Sequence, residues 1–150
     1  MIITDLDITM IVGLALSLVV SEVFGVVPGG MIVPGYLALV CHTPLIPVFA
    51  LFIALTVFFL AKYVVAKIVI LYGRRRFVAH IILSILITLI LQTVFPILSF
   101  TSLEYEGIGA VVPALIANCF YRQGIKLTVI SLVPVVLLTY GAMLLYRILI

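Results

Sequence analysis

The sequence predicts an all-α polytopic membrane protein built from two related halves, and three observations support this fold class. Apolar residues make up 67% of the 150 residues and charged residues only 9%, whereas soluble domains carry about 25% charged residues. Several apolar stretches are long enough to cross a bilayer as helices. Two further apolar stretches, one in each half, are interrupted by glycine and proline.

The two interrupted stretches, residues 29–40 and 108–118, resemble each other. Aligning Pro34 with Pro113 gives an offset of 79 residues (113 − 34). At this offset the further matching pairs are Gly30 with Gly109, Val33 with Val112 and Ala38 with Ala117. Paired, interrupted apolar segments of this kind are typical of internally repeated transporters with a site near the bilayer midplane. Two unrelated helix kinks are the simpler alternative.

The chain is interpreted as a single integral membrane domain, residues 1–150, with repeat halves at about residues 5–73 and 77–150. Each half is expected to contain two long transmembrane helices and one short helix broken by glycine and proline. The first apolar run follows an acidic start and lacks a small-residue cleavage site. It is therefore interpreted as the first transmembrane helix and not as a removable signal peptide.

The long helices are predicted at residues 8–25, 45–72, 77–100 and 127–149. The second of these has 28 residues (72 − 45 + 1), which would form a helix of about 42 Å, longer than the hydrocarbon layer requires. A short helix with Pro34 in its first turn is expected before it. A second short helix is expected to start within the second interruption.

Charge placement predicts the topology. Lysine and arginine in short loops favour the cytoplasmic side, which places Arg74, Arg75, Arg76, Arg122 and Lys126 there. Both basic turns lie inside only if the interrupted segments cross the membrane. That arrangement gives six crossings, an inverted repeat and both termini outside. Four crossings with two re-entrant segments are the alternative, and they would contradict the positive-inside pattern.

Two ionisable side chains stand out within the predicted spans. Glu22, beside the first interruption, is either a functional carboxylate or an interfacial one hydrogen-bonded to freed backbone N–H groups. Lys62 belongs to a basic array with Lys67 and the three arginines, which snorkelling and anionic lipid would explain. However, Lys62 lies eleven residues before Gly73, about 16 Å from the predicted helix end. It is therefore expected to face a wet interior or an anion.

The sequence contains no metal-ligand, nucleotide-binding or nucleophile motif. We expect no catalytic residue, no metal, no cofactor and no nucleic-acid partner in this chain, so any ATP use requires another subunit. Cys41 and Cys119 lie in apolar sequence and are interpreted as buried thiols and not as a disulfide.

Four blocks, together with Glu22, form a familiar pattern. They are Val-Pro-Gly-Gly-Met-Ile-Val-Pro-Gly-Tyr-Leu at residues 27–37, Lys-Tyr at 62–63, Ile-Leu-Tyr-Gly-Arg-Arg-Arg-Phe at 70–77, and Gly-Ile-Gly followed by Val-Pro-Ala-Leu-Ile-Ala-Asn at 107–118. With them the chain resembles, over essentially its whole length, the CapC/PgsC family of small membrane subunits of poly-γ-glutamate capsule synthesis.

The resemblance implies a multi-pass protein of the bacterial inner (cytoplasmic) membrane. Its expected partners are a CapB/PgsB-like amide ligase, which would carry ATP and Mg²⁺, and a CapA/PgsA-like subunit. Poly-γ-glutamate, anionic lipid and further copies of the chain are also expected partners. The leading hypothesis is a non-catalytic subunit that docks the ligase and receives or passes the polyanion. A pure scaffold and a small inverted-repeat transporter of an anionic metabolite are the alternatives.

The candidate residues form two groups. A substrate path at the interruptions, where free N–H groups and helix N-termini attract carboxylates, would use Glu22, Gly29, Gly30, Pro34, Gly35, Tyr36, Lys62, Gly107, Gly109, Pro113 and Asn118. A ligase-docking surface would use Lys67, Arg74, Arg75, Arg76, Arg122 and Lys126.

Overall fold

The computed structural model describes residues 5–41, 43–70, 72–96 and 106–150. Over these residues the chain is helical and contains no strand, which confirms the predicted all-α class. The helices are α1 (Asp5–Phe24), α2 (Val33–Val40), α3, α4 (Arg74–Val94), α5 (Glu106–Gln123) and α6 (Ile125–Leu149). The third helix, α3, consists of an α-helix (Leu45–Leu60), a π-helix (Ala61–Val65) and a final α-helical turn (Ala66–Ile68).

Four of these helices, α1, α3, α4 and α6, are long and apolar enough to cross a membrane. The predicted bounds of two were wrong. The helix predicted to reach residue 72 ends at Ile68, because the chain reverses there towards α4 and Val69 is already extended. Helix α4 ends at Val94 and not at residue 100, because Pro96 keeps the residue before it out of the helical region.

The two interrupted segments differ from each other. Pro34 lies in the first turn of α2, as predicted. The second segment was predicted to break, but α5 is one continuous helix with Pro113 inside it. Proline removes a backbone donor from the helix, and serine side chains of neighbouring helices can satisfy the affected carbonyls. The carbonyl that loses its donor to Pro113 is that of residue 109, four residues earlier. Ser84 of α4 donates to the next carbonyl, that of Ala110, at 2.5 Å, and so ties this turn of α5 to α4.

The first interrupted segment runs back along α1. The Ser17 hydroxyl donates to the Gly30 carbonyl at 3.4 Å, and Gly35 lies against Met10 and Gly13. From Gly35 to the end of α2 at Val40 there are five more helical residues, a length of about 7.5 Å. The end of α2 therefore lies level with the start of α1. Residues 25–40 therefore return antiparallel beside α1 over its full length.

The last three helices are placed by similar contacts. Helix α5 is antiparallel to α4, since Ser84 contacts Ala110 and Arg76 contacts Tyr121. Helix α6 is antiparallel to α1, because Gln123 bonds to Val27 just beyond the end of α1, while Thr139 contacts Gly13 midway along it. Consequently Asp5 and Ile150 lie at one end of the bundle.

The helices form two sets of three that share a core. Helix α1 packs on α2 and α6, and α4 packs on α5 and α3. The shorter helices α2 and α5 lie between them and contact each other. The core includes Val33, Leu37, Val57, Phe58, Ile116, Phe120 and Leu132. Cys41 and Cys119 are free thiols, as predicted; Cys119 is buried as expected, whereas Cys41 is only half-buried.

Glycines allow α1 and α2 to approach to backbone contact. A Cβ atom added at Gly13 would lie 2.4 Å from the Gly35 Cα, and one added at Gly35 would lie 3.2 Å from the Met10 Cα. Close approach of this kind is a common basis of helix association in membranes, where apolar side chains gain little by leaving lipid.

We expect Gly13→Ala to destabilise the protein, because the new Cβ must push α2 away from α1. Overpacking of this kind costs about 1–3 kcal/mol, which would lower the melting temperature in detergent. Gly141→Ala in α6 is the matched control, since a Cβ there has nothing within 4 Å. Equal melting temperatures for the two variants would contradict the contact.

Candidate functional site

The basic side chains gather at one end of the bundle, which we call the basic end. Of the eight lysines and arginines, all but Arg147 lie there, around the α3–α4 and α5–α6 turns. Gly73 and Gly124 make these turns sharp, with φ of 56° and 95°, values that L side chains rarely adopt. Arg76 is half-buried; the rest are exposed.

One pocket at the basic end, the arginine pocket, lies between the start of α4 and the end of α5. It has a volume of about 580 Å³ and is lined by Gly73, Arg74, Arg76, Phe77, Val78, Asn118 and Arg122. No side chain caps the N-terminus of α4, so its first N–H groups add partial positive charge beside the arginines.

Arg76 is held firmly in this pocket. Its guanidinium carbon lies 4.8 Å from the centre of the Tyr121 ring, within the range of a cation–π contact. The Arg76 carbonyl oxygen is 2.7 Å from His80 Nδ1, and His80 is fully buried. Among the described residues, three buried side-chain atoms have no hydrogen-bond partner: Arg76 Nε, His80 Nε2 and Asn118 Oδ1.

A second pocket, the lysine pocket, lies on the other side of the α5 C-terminus. Its volume is about 840 Å³, and its lining residues are Phe58, Phe59, Lys62, Phe120, Tyr121, Gln123, Gly124, Ile125, Lys126 and Leu127. The Lys62 ammonium lies 5.6 Å from the Phe58 ring centre and 5.9 Å from that of Tyr63. Lys62 belongs to the π-helix of α3, a feature frequent at functional sites.

The position of Lys62 corrects the sequence-based argument. Because α3 ends at Ile68, Lys62 lies only six residues, roughly 9 Å, from the helix end. A lysine side chain can reach the interface from there. A wet interior is therefore not needed to explain the position of Lys62, whose side chain is exposed at the lysine pocket.

Gln123 is the residue that the sequence did not single out. Its Oε1 accepts a hydrogen bond from the Val27 N–H at 3.1 Å, and its Nε2 donates to the Val27 carbonyl at 2.5 Å. Nε2 also lies 3.0 Å from Thr128 Oγ1. Gln123 thus provides hydrogen-bond partners for the non-helical backbone of Val27, just after α1. The interruption in the sequence shows that this backbone needs a partner, but which residue provides it depends on tertiary packing.

The chain matches the family described as "Capsule biosynthesis CapC" over residues 12–129. It is 42% identical over 126 residues to "Capsule biosynthesis protein CapC" of Bacillus anthracis, covering 84% of this chain and 85% of that protein. The protein belongs to the CapC family. It is also 42% identical over 125 residues to "PGA biosynthesis protein CapC" of Bacillus subtilis (strain 168), covering 83% and 84%. No solved structure matches the chain significantly.

The residues of both pockets lie within the part of the chain that matches the CapC family, residues 12–129. The matched region also contains both interruptions and Gln123. It ends at residue 129, near the start of α6, so most of that helix lies beyond it. The family resemblance therefore includes the whole basic end.

The structure brings the first interruption of this CapC protein against α5. A Cβ at Gly29 would lie 3.5 Å from the Ile116 side chain, and one at Gly30 would lie 3.9 Å from Leu115. Pro34, Gly35 and Tyr36 are buried on α2. Pro113 is buried on α5, and Gly107 and Gly109 lie in the same helix.

The remaining candidates of the predicted path lie elsewhere. Asn118 lines the arginine pocket, and Lys62 lines the lysine pocket. Glu22 is exposed on α1, which packs on neither α4 nor α5. One interpretation of Glu22 was that it accepts a hydrogen bond from a backbone N–H freed at the first interruption. The freed N–H of Val27 instead donates to Gln123.

We expect Gln123→Leu to lower the melting temperature, because it leaves the Val27 N–H and carbonyl without a partner. Each buried unsatisfied group costs about 1–3 kcal/mol. Gln92→Leu in α4 is the matched control, since Gln92 makes no hydrogen bond within the described part of the chain. Wild-type stability of Gln123→Leu would show that the Val27 bonds contribute nothing.

Proposed function

We propose that this CapC protein is a non-catalytic membrane subunit of a poly-γ-glutamate synthase and export complex. At its basic end it would dock an ATP-dependent amide ligase and receive the polyanionic chain. The observation that carries the proposal is the collection of all but one of the eight lysines and arginines at one end of an apolar bundle. Such a surface attracts polyanions and acidic protein faces.

The relatives support the polymer assignment. The Bacillus anthracis relative is named for capsule biosynthesis and the Bacillus subtilis relative for PGA biosynthesis. Poly-γ-glutamate carries one free carboxylate per unit, so it needs cations along its route. ATP and Mg²⁺ would be bound by the ligase, and a CapA/PgsA-like subunit would complete the complex.

We propose that the basic end faces the cytoplasm and both termini face outward across the bacterial cytoplasmic membrane. This orientation follows from the positive-inside pattern and from the antiparallel returns of residues 25–40 and of α5. It places the arginine and lysine pockets on the side where a cytosolic ligase would release its product.

The packing supports an inverted repeat. Exchanging α1 with α4, α2 with α5 and α3 with α6 leaves the set of packed helix pairs unchanged. Serines occupy matching roles: Ser17 donates to Gly30 at the first interruption, and Ser84 donates to Ala110 before Pro113. Helix α1 begins at the terminal end and α4 at the basic end, as inversion requires.

A pure ligase scaffold is the second candidate function, and the packing of Gly35 favours it. A passage at the interruptions requires α2 and α5 to separate, but Gly35 lies in backbone contact with α1. For the alternative in which the protein passes the polymer across the membrane, we propose two steps. The polymer first binds at the basic end and then moves along the interruptions when α2 and α5 separate.

The proposed topology predicts the accessibility of single cysteines. In a protein with Cys41 and Cys119 replaced by alanine, Ile150→Cys should react with an impermeant maleimide in intact cells. Tyr72→Cys should react only after permeabilisation. Both positions are exposed, at 86% and 80%, so burial would not explain a difference. Equal labelling of the two in intact cells would refute the orientation.

The docking role predicts that Lys67→Gln combined with Arg75→Gln lowers recovery of the ligase with membranes. Both side chains are exposed and line neither pocket. Exposed charge pairs contribute about 0.2–1 kcal/mol each, so the loss of two pairs is expected to weaken docking about two- to thirtyfold. Arg147→Gln, at the opposite end, is the control and should leave recovery unchanged. Undiminished recovery in the double variant would remove these residues from the docking surface.

A further inference from the structure

We infer that the arginine pocket is a carboxylate-binding site for glutamate units of the polymer, distinct from the surface that docks the ligase. This inference rests on the proposed function and makes it more specific. It assigns Arg76, Arg122 and Asn118 to the ligand, with Arg74 at the rim. Lys67 and Arg75 remain candidates for protein contact.

The first argument is uncompensated charge. Arg74, Arg76 and Arg122 line one pocket, and like charges brought together repel unless an anion joins them. Asp7 and Glu22, the acidic residues whose side chains are described, both lie on α1. Because α1 packs on neither α4 nor α5, neither residue neutralises the pocket. Among the described side chains, therefore, no acidic group compensates the pocket, which is open to an anion from solution.

The second argument is the unused hydrogen-bonding capacity of buried atoms. Arg76 Nε is buried without a partner, although buried guanidinium donors normally bind an acceptor. The Tyr121 ring covers one face of the guanidinium, so its N–H donors remain available in the plane of the group. A carboxylate in that plane would accept two parallel hydrogen bonds, the geometry that arginine favours.

Asn118 and the start of α4 complete the donor set. The buried atom of Asn118 without a partner is Oδ1, an acceptor, so Asn118 binds an anion only when its amide is turned to present the two Nδ2 donors. The N-terminus of α4 lacks a side-chain cap, so backbone N–H groups beside Gly73 are also free. A carboxylate would satisfy donors from a side chain and from the backbone together.

The size of the pocket fits more than one carboxylate. Its volume of about 580 Å³ lies within the 300–1,000 Å³ typical of small-ligand sites. Three guanidinium groups can pair with carboxylates on successive units of a γ-linked chain. The lysine pocket is less suited to this ligand, since Lys62 lies over aromatic rings and most lining residues are apolar.

Direct binding tests the site. The full chain would be placed in phosphatidylcholine nanodiscs and titrated against a fluorescent γ-linked glutamate octamer, with anisotropy as the readout. Arg76→Gln combined with Arg122→Gln should weaken binding about tenfold or more, because charge-assisted bonds are among the strongest polar contacts. Lys62→Gln combined with Lys126→Gln removes the same charge from the lysine pocket and should change affinity less than threefold.

Two further variants separate the site from general charge attraction and from misfolding. Arg76→Lys keeps the charge but loses the planar fork, so it should also weaken binding several-fold. Each variant must melt and elute like the wild type. A well-folded arginine double variant that binds as tightly as the wild type, or lysine and arginine pairs with equal losses, would overturn the inference.

Competition identifies the source of the anion. Unlabelled γ-linked octamer and inorganic phosphate would each be tested as competitors of the probe. The octamer, counted as carboxylate groups, should displace the probe at a lower concentration than phosphate does. Vesicles of phosphatidylglycerol should displace it poorly. More effective displacement by phosphate or by the vesicles would overturn the assignment to glutamate carboxylates and identify a phosphate site.

Cells distinguish this inference from the proposed function. The Arg76→Gln, Arg122→Gln protein should lower surface polymer several-fold while ligase recovery with membranes stays at the wild-type level. A parallel loss of ligase recovery would overturn the inference, since these arginines would then belong to the docking surface, and the proposed function would stand. Failure of the proposed function would instead appear as no dependence of ligase recovery or polymer output on the CapC protein.

Discussion

The structure depends on one constraint: backbone that leaves a helix inside an apolar bundle must find its hydrogen bonds within the protein. Residues after α1 do so at Val27, where the Gln123 amide bonds to both the N–H and the carbonyl. This contact joins the α1–α2 connection to the α5–α6 turn, 96 residues away. Because Arg122 precedes Gln123 and Lys126 follows it, the same contact fixes the placement of the basic end. The two pockets are thus positioned by a backbone requirement.

Small and hydroxylated residues determine how closely the helices pack against one another. Gly13 and Gly35 allow α1 and α2 to touch, while Ser84 bonds to the Ala110 carbonyl in the turn of α5 before Pro113. On α1, Thr9, Gly13 and Ser17 form a buried stripe with a spacing of four residues, and His80 and Ser84 form a similar stripe on α4. The stripe on α1 faces α2 and the segment before it, and the stripe on α4 faces α5. The apolar surface is therefore left mainly to lipid, and the polar and small residues define the helix pairs.

The sequence was sufficient for the all-α class, the four long helices, the place of Pro34 and the family, because composition, length and motif spacing determine these. It was insufficient where a partner decides the outcome. Whether Pro113 breaks a helix depends on the packing of α5 against α3 and α4, which are distant in sequence, and the end of α3 depends on the reversal into α4. Gln123 appeared as an ordinary polar residue of a turn, since nothing local shows that its amide meets Val27. Likewise, the division of the arginines between a pocket and an exposed surface required the packing of α4 on α5.

Tyr121 has a consequence for the relation between the two pockets. Its ring lies against Arg76 in the arginine pocket and borders the lysine pocket, where its centre is 6.3 Å from that of Phe58. The same ring is therefore part of the wall of both cavities. Reciprocity requires that any coupling through it act equally in both directions. A substitution at Tyr121 would accordingly change the walls of both cavities at once.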